Sequence, residues 1–400
     1  MKIRDELAWA PPWRLAVSRL LICLILICVI GNTRDNGVVQ AFSDSGPKLA
    51  LLPGMPPLLD ASNVYSADRP GLLSPVVKNF PPRVYVPNSK SDSVDIIDQS
   101  TYKIVGHFAL PRDSKHPRHP LEPQHVVPSW DLKKLWVAQD LGDQLTLIDP
   151  ATAKQGETVH VDDPYNMYYT PDGKYAIVMA EREKRIDFRD AQTMNVVKKV
   201  PVDCSGVNHA DFSSDGRYMI ATCEFSSELI KVNVAEQKVL SHLKLLPRGM
   251  PQDCRLSPDG KVFYIANMDA DGVHVIDGDA FRQIAFVKTG KGAHGLYFSR
   301  DSKFMYVTNR GEGSVSLIDM GTRNVATKWV IPGGGSPDMG GVSVDGKSLW
   351  LSGRYNSEVY VLDTSNGNLR ARIKVGEGPH GLCVYPQPGR YSLGHTGNIR

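Results

Sequence analysis

Apolar and polar positions alternate through Lys291–Asp319 in three short runs that are separated by turn residues. The runs are Leu296–Phe298, Phe304–Thr308 and Ser314–Ile318, and Gly, Asn and Asp residues lie between them. Alternation with a period of two, in β-branched and aromatic residues, is typical of half-buried antiparallel strands. A fourth run, Val325–Ile331, follows directly. Four strands in a meander predict one blade of a β-propeller.

The same unit recurs along the chain. The residue that closes the third strand of each unit falls at spacings of 51, 41, 43, 44, 42 and 44 residues, at Asp98, Asp149, Asp190, Asn233, Asp277, Asp319 and Asp363. The turn between the first and second strands recurs as Asp-Gly or Asp-Ser at Asp172, Asp215, Asp259, Asp301 and Asp345. Four-stranded repeats of roughly 40–45 residues are typical of propellers. The sequence predicts an all-β, seven-bladed β-propeller of four-stranded blades.

The two ends of the repeat region complement each other. Arg83–Asn88 begins the first repeat as a second strand, and Ser93–Asp98 and Lys103–Leu110 follow it. Pro379–Tyr385 matches a first strand with no partner strands after it. We therefore expect the C-terminal strand to close the first blade, which removes both free sheet edges. This places the propeller at residues 81–385 and a C-terminal tail at residues 386–400.

Residues 1–41 have the character of a targeting segment. Basic residues precede the apolar run Leu20–Ile30, whose length suits a secretory signal and is short for a membrane span. Cleavage before Phe42 and retention as a membrane anchor both remain open. Either form predicts export, to the periplasm, the medium or the outer side of a membrane. Residues 42–80 hold six prolines and predict a linker.

Composition narrows the classes of partner. The chain has 400 residues, 42% of them hydrophobic, and 46 Lys and Arg residues against 43 Asp and Glu residues leave a net charge of +3. This balance gives no support to nucleic-acid binding, and membrane contact is expected only through the N-terminal segment. An unidentified small ligand or a protein of the cell envelope is the partner that we expect.

Motifs for specific chemistry are scarce. Gly290–Gly295 and Gly376–Gly381 both match G-x-G-x-x-G, but a strand follows each, so they predict turns between blades rather than a dinucleotide site. The sequence contains no C-x-x-C-H and no G-x-S-x-G, so it implies no cofactor and no catalytic residue by motif. Cys204 precedes a first strand and Cys223 ends the adjoining second strand, so these two are the candidate disulfide in an exported protein.

Alignment of the repeats predicts one polar site. The starts of the first strands and the ends of the second strands share one face of a propeller, so polar residues at these positions should converge near one channel mouth. The candidate ligand-binding residues are His125, Asn166, His209, Asp253, His294, Asp338, His380, Arg310 and Arg354. On the other side of the mouth the acidic residues Asp140, Glu181 and Glu224 are expected. A binding site and a water-filled polar channel both remain open, and no short metal-ligand motif favours a metal.

A family resemblance rests on two repeat motifs. Arg83–Asn88 (RVYVPN) and Met305–Asn309 (MYVTN), with the Asp-ended third strands, resemble the YVTN-repeat β-propellers of the YncE-like type. The resemblance implies a secreted or periplasmic seven-bladed propeller, and the use of this fold class favours a binding or scaffold module of the cell envelope. More distant likeness to cytochrome d1 haem domains and lactonase propellers implies an alternative. A haem protein would use His209 or His294 as axial ligand, and a metal-dependent lactonase would use Asp253, Asp338, His125 and His209.

Overall fold

Seven antiparallel four-stranded sheets form the protein, a seven-bladed β-propeller as predicted. The structure is a computed structural model and describes residues 50–112 and 118–400. The predicted targeting segment, its cleavage site before Phe42 and part of the loop that follows the first blade lie outside these residues. Within them, no helix is both long and apolar enough to span a membrane.

Each blade begins with an inner strand beside the channel and ends with an outer strand. The first blade contains β1 (Arg83–Asn88), β2 (Ser93–Asp98) and β3 (Ile104–Ala109). Blades two to four contain four strands each: β4 (Pro123–Pro128), β5 (Leu135–Gln139), β6 (Gln144–Asp149), β7 (Lys154–His160), β8 (Pro164–Tyr169), β9 (Tyr175–Ala180), β10 (Arg185–Asp190), β11 (Val196–Pro201), β12 (Val207–Phe212), β13 (Tyr218–Cys223), β14 (Glu228–Asn233) and β15 (Lys238–Lys244). Blades five to seven and the closing strand are β16 (Pro251–Leu256), β17 (Val262–Asn267), β18 (Gly272–Asp277), β19 (Arg282–Lys288), β20 (Ala293–Phe298), β21 (Phe304–Asn309), β22 (Ser314–Asp319), β23 (Val325–Val330), β24 (Pro337–Val342), β25 (Ser348–Gly353), β26 (Glu358–Asp363), β27 (Leu369–Lys374) and β28 (Cys383–Tyr385). Two short 3-10 turns, Ser66–Asp68 and Glu224–Ser226, are the helical elements among the described residues.

The C-terminal strand closes the ring, which confirms the prediction. β28 pairs with β1 in antiparallel register, with Arg83 opposite Tyr385 and Tyr85 opposite Cys383. The first blade therefore has the strand order β28-β1-β2-β3. Because the last strand joins the first blade, β1 is paired on both sides, as the second strand of every other blade is.

The turn residues predicted from the repeat have local roles. Ser213 Oγ donates to Asp215 Oδ1 over 2.6 Å, and the same oxygen accepts the backbone N–H of Arg217 at 3.0 Å. Gly216 follows with a φ of 72°, in the left-handed region that favours glycine. The turn after β22 is built around Asp319, whose Oδ1 accepts the N–H of Thr322 at 2.7 Å.

The face that carries the turns between first and second strands, the closed face, is covered by the chain itself. Residues 50–80, predicted as a linker, form a strap across it: Leu52 N–H donates to Asp215 O at 2.7 Å, and Val64 N–H donates to Pro258 O at 2.8 Å. The tail, residues 386–400, enters the channel from the same face. Its Ser392 N–H donates to Trp130 O at 3.0 Å, and Tyr169 N–H donates to Leu393 O at 3.0 Å. The opposite face, the open face, carries the candidate site.

Candidate functional site

Bulges at the start of the inner strands turn two consecutive residues toward the channel. The pairing of β12 with β13 shifts between Val207 and Ala210, which leaves Asn208 and His209 without partners in the ladder. β16, β20 and β24 have the same irregularity at their starts. A bulge re-aims side chains that strict alternation would send to opposite faces. This explains why adjacent repeat positions contribute to one site.

The four predicted histidines lie together in the channel. The ring centroids of His125 and His380 are 4.9 Å apart, those of His125 and His209 5.5 Å, and those of His294 and His380 6.0 Å. A fifth imidazole, His395 of the tail, lies 5.1 Å from His209 and 5.3 Å from His125. We call these five residues the histidine cluster.

The histidine cluster is deeper than the channel mouth at which the sequence placed it. All five side chains are at most 2% exposed. The reason is that the tail fills the channel from the closed face while Tyr165, itself only 9% exposed, packs over His125 and His209. Removal of any of these side chains would therefore leave a buried cavity.

Hydrogen bonds orient the imidazoles through Nδ1. His125 Nδ1 is 2.8 Å from the carbonyl oxygen of Tyr165. The amide nitrogen of Asn166 lies 3.2 Å from His209 Nδ1 and 2.9 Å from His395 Nδ1. The Nε2 atoms of all three have no hydrogen-bond partner among the described residues. Burial lowers the pKa of each imidazole well below its usual value, so the rings are neutral.

The two predicted aspartates have different surroundings. Asp253 accepts the backbone N–H of Cys254 on one oxygen and that of Leu296 on the other, both at 2.9 Å. It thereby connects blades five and six. Asp338 is fully buried, and its Oδ1 lies 3.0 Å from His294 Nδ1 and 3.1 Å from Arg310 Nη1. Burial raises the pKa of Asp338, while the positive charges of Arg310 and Arg354 act in the opposite direction.

The two predicted arginines lie on one side of the channel. Besides Asp338, Arg310 contacts the ring of Tyr355, whose centroid is 5.4 Å from the guanidinium carbon. Arg354 Nη1 donates to Ser89 Oγ at 2.8 Å and to Gly378 O at 3.2 Å. Its Nε and Nη2 have no hydrogen bond within the described part of the chain, so they can bind an anionic group.

The acidic residues lie on the other side. Glu181 and Glu224 share the amide group of Asn208, which donates to them at 3.0 and 2.6 Å. Asp140 is held by Arg182, whose Nε is 3.2 Å from Oδ1. Burial raises the pKa of Glu181 to about 8, with a further contribution from the charge of Glu224, and raises that of Asp140 to about 8. The carboxyl groups of Glu181 and Asp140 therefore titrate close to neutral pH.

The candidate cysteines lie on the open face and are joined in the structure. Cys204 and Cys223 form a disulfide with a Cα–Cα distance of 6.0 Å, within the usual range for such a bond. Cys254 and Cys383 are buried free thiols.

Sequence alignment missed two residues that contact the predicted set. His395 lies in the tail, outside the repeats, so no repeat register could place it in the channel. Tyr355 follows β25 and is 68% exposed beside Arg310. An aromatic residue directly after an arginine at the end of a second strand was the available signal for Tyr355.

Comparison with known proteins agrees with the architecture. A model of the YncE-like β-propellers matches residues 71–389. The chain belongs to the YncE-like β-propeller family. Curated relatives include the YncE proteins of Salmonella typhimurium and Salmonella typhi, each 27% identical over 183 residues, which are 44% of this chain. The chain spans about half the length of the curated relatives it matches, 50% of each.

Solved structures similar to this YncE-like propeller share its fold at low sequence identity. A protein of Desulfotomaculum acetoxidans has a TM-score of 0.60 at 14% identity and covers 74% of this chain and 98% of its own. The dihydro-haem d1 dehydrogenase NirN, in complex with its ligand DHE, has a TM-score of 0.58 at 17% identity, covering 79% and 77%. Hydrazine synthase of Kuenenia stuttgartiensis has a TM-score of 0.54 at 18% identity, covering 68% and 91%.

The two alternative chemistries that sequence resemblance suggested meet obstacles in this YncE-like propeller. His209 and His294, the candidate axial ligands of a haem, are at most 1% exposed and packed against other imidazoles. A macrocycle would have to displace those neighbours to reach either nitrogen. The lactonase candidates include Asp253, whose two oxygens already accept backbone N–H groups. Both roles therefore stay predictions.

Proposed function

We propose that this YncE-like propeller is an exported binding module that holds a small charged ligand on its open face. The observation that carries the proposal is the separation of basic side chains from acidic ones around that end of the channel. Arg310 and Arg354 lie on one side, and Asp140, Glu181 and Glu224 lie on the other. A ligand with a carboxylate or phosphate group would contact the arginines, and its neutral or cationic end would face the acidic side.

The difference between the two faces supports this choice of site. On the closed face the strap and the tail pack over the turns, so a ligand would have to displace chain that is already bound. On the open face, Arg354 keeps Nε and Nη2 for a ligand, as no described residue accepts from them. Tyr355 adds an exposed ring next to Arg310. Planar guanidinium groups beside an aromatic ring suit the recognition of a small anion.

The similarity to NirN offers a second kind of ligand on the same fold. NirN was solved with DHE bound, and the identity of 17% transfers the fold alone. We therefore include haemin among the compounds to be tested, and we do not propose a haem-like ligand.

Calorimetric titration of the open face is the test. The purified wild-type chain is titrated with citrate, succinate, α-amino acids, inorganic phosphate and haemin. The variant Arg354→Gln is then titrated with the same compounds. We expect at least one anion or zwitterion to bind, and the variant to bind it about 10-fold more weakly, since a charge-assisted hydrogen bond contributes about 1.5 kcal/mol or more.

The matched control is Lys374→Gln, which removes a positive charge from the outer strand of the same blade. Lys374 is 78% exposed and pairs with Glu358 at 2.7 Å, away from the channel. Equal affinity for wild type, Arg354→Gln and Lys374→Gln would overturn the proposed site. Failure of every compound to bind would overturn the ligand class.

Export is part of the proposal. The apolar run Leu20–Ile30 with its basic flank supports it, and the disulfide Cys204–Cys223 suits an oxidising compartment. Cell fractionation with intact-mass measurement tests it. We expect a chain outside the cytoplasm that either begins near Phe42 or retains the N-terminal anchor, and a cytosolic chain that retains Met1 would contradict export.

A further inference from the structure

Three buried imidazoles converge from parts of the chain that are distant in sequence. His125 comes from β4, His209 from β12 and His395 from the tail. One ligand atom of each lies within 4.8 Å of those of the other two. Their Nε2 atoms are buried and make no hydrogen bond to a described residue, and that of His395 lies 3.5 Å from Asp253 Oδ1. Buried polar atoms usually have a hydrogen-bond partner. Three neighbouring ring nitrogens without one therefore point to a bound ligand at this place.

We propose that His125, His209 and His395 bind one late first-row transition metal ion, Zn²⁺ or Cu²⁺, inside the channel. Neutral imidazole nitrogen is a preferred ligand for both ions. Three histidines leave a fourth coordination position for water or another small ligand. The site does not depend on the ligand proposed for the open face, because none of its three histidines is exposed there.

His125 is already oriented as a metal ligand. Its Nδ1–H donates to Tyr165 O over 2.8 Å, which fixes the proton on Nδ1 and leaves the lone pair on Nε2. A backbone carbonyl behind the ligating imidazole is a common arrangement around protein-bound metals. A carboxylate also lies beside this set: Asp253 Oδ1 is 3.5 Å from His395 Nε2 and contributes negative charge.

Asn166 is the positioning residue for the other two imidazoles. Its Oδ1 accepts the N–H of Met167 at 2.8 Å, and its amide nitrogen faces His209 Nδ1 and His395 Nδ1. In this orientation both Nδ1 atoms accept, and the ring protons are on Nε2. Metal binding through Nε2 moves these protons to Nδ1, so the amide must rotate to present its oxygen and give up the bond to Met167.

A carboxylate at position 166 would remove that conflict. One oxygen could accept from Met167 while the other accepts from the two imidazoles. The fold tolerates aspartate at this repeat position, since Asp253 occupies it in blade five and accepts the next backbone N–H in the same way, at 2.9 Å. Asn166→Asp is therefore expected to strengthen the metal site.

A second set of possible ligands is less suitable. His294, Asp338 and His380 also lie within reach of one another. Arg310 Nη1, however, is 3.1 Å from Asp338 Oδ1, and its positive charge occupies the carboxylate that a cation would need. We therefore assign the metal to the first set.

Metal content and affinity test the proposal. The full chain is produced in medium supplemented with Zn²⁺ and Cu²⁺, dialysed, and measured by inductively coupled plasma mass spectrometry. We expect one ion per chain in the wild type and a loss of most of it in His395→Ala. The control His274→Ala removes another fully buried imidazole, which contacts Asn267 and Phe286 in blade five, and should keep the ion.

Two variants at one position give a readout that misfolding cannot imitate. Loading with Co²⁺, followed by its visible absorption under competition with a chelator, should show Asn166→Asp binding about 10-fold more tightly than wild type and Asn166→Leu more weakly. A metal-free wild type, an unchanged metal content in His395→Ala, equal loss in His274→Ala, or equal affinity in the two Asn166 variants would each overturn the site.

Discussion

Buried carboxyl groups on the closed and open faces of this propeller differ in how many hydrogen-bond donors surround them. On the closed side, Asp211 accepts from the N–H of Leu256 at 2.7 Å, from Asn398 Nδ2 at 2.7 Å and from Arg400 Nη2 at 3.0 Å. On the open face, Glu181 and Glu224 share the one amide of Asn208. The tail thus brings donors and positive charge to the first face, whereas carboxyl groups on the second are buried beside one another.

The difference separates structure from function in one fold. The donors around Asp211 hold the tail in place and make it an integral part of the closed face. Partly compensated carboxylates lower stability at neutral pH, which is typical of sites kept for binding. Damage to the closed face should therefore reduce folding, and neutralising charge on the open face should increase it.

Deletion of residues 379–400 should have the largest effect. It removes β28 from the first blade and the tail from the channel, exposing the edge of β1 and the histidine cluster. We expect aggregation or loss of a cooperative melting transition, measured by size-exclusion chromatography and circular dichroism. A chain that lacks residues 1–41 is the control and should melt cooperatively. A truncated chain that melts as the full one does would contradict the role of ring closure.

Loss of the disulfide should have the second largest effect on stability. The bond closes a loop with a sequence separation of 19, and a loop of this size stabilises by about 3 kcal/mol. The double variant Cys204→Ala/Cys223→Ala should lose this amount in urea unfolding, and reductant should lower the stability of the wild type but not that of the variant. Four free thiols in denatured, unreduced protein lacking residues 1–41 would show that the bond is absent.

A methyl group added in a turn of the closed face should lower the free energy of unfolding by less than loss of the disulfide does. Gly173 has a φ of 71°, and a Cβ there would lie 2.5 Å from Trp130, whose ring stacks on Tyr391 of the tail. Gly71, with a φ of 85°, has open space around it and is the matched control. Gly173→Ala should destabilise by about 2 kcal/mol more than Gly71→Ala, because only the first adds overpacking to the backbone strain. Equal melting temperatures of the two variants would contradict the packing of the tail on this turn.

Neutralising Glu181 should give the smallest effect, of opposite sign. The folded pKa of about 8 lies above the ordinary value of 4.5, so the native state binds more protons. The contribution of Glu181 to stability is therefore complete below about pH 4.5 and is lost as the pH rises through 8. Glu181→Gln keeps the acceptor for Asn208 and should be more stable than wild type at pH 9 by about 1–2 kcal/mol.

The advantage of Glu181→Gln should vanish at pH 5, where the wild-type carboxyl group is protonated in the native state. Glu157→Gln, at an exposed position of the outer strand β7, is the control and should show no such trend. A constant difference in melting temperature between pH 5 and pH 9 would exclude a raised pKa at Glu181.

The sequence was most informative where structure is local. Alternation, Asp-Gly turns and Asp-ended third strands gave the strands and the number of blades, because each depends on residues within a few positions of one another. Repeat register then placed His125, His209, His294 and His380 at one level of the channel. The register also indicated that the unpaired strand Pro379–Tyr385 belongs to the first blade, since a ring leaves one place for it.

Only the tertiary structure decided what those side chains experience. It brings His395 to His125 and His209, turns both Asn208 and His209 inward through a bulge, and uses Asp253 to connect two blades. It also covers the histidine cluster, with the tail on one side and Tyr165 on the other. The contacts of these side chains, their desolvation and their pKa values depend on distances between segments that are far apart in the chain. A repeat pattern carries no information on those distances.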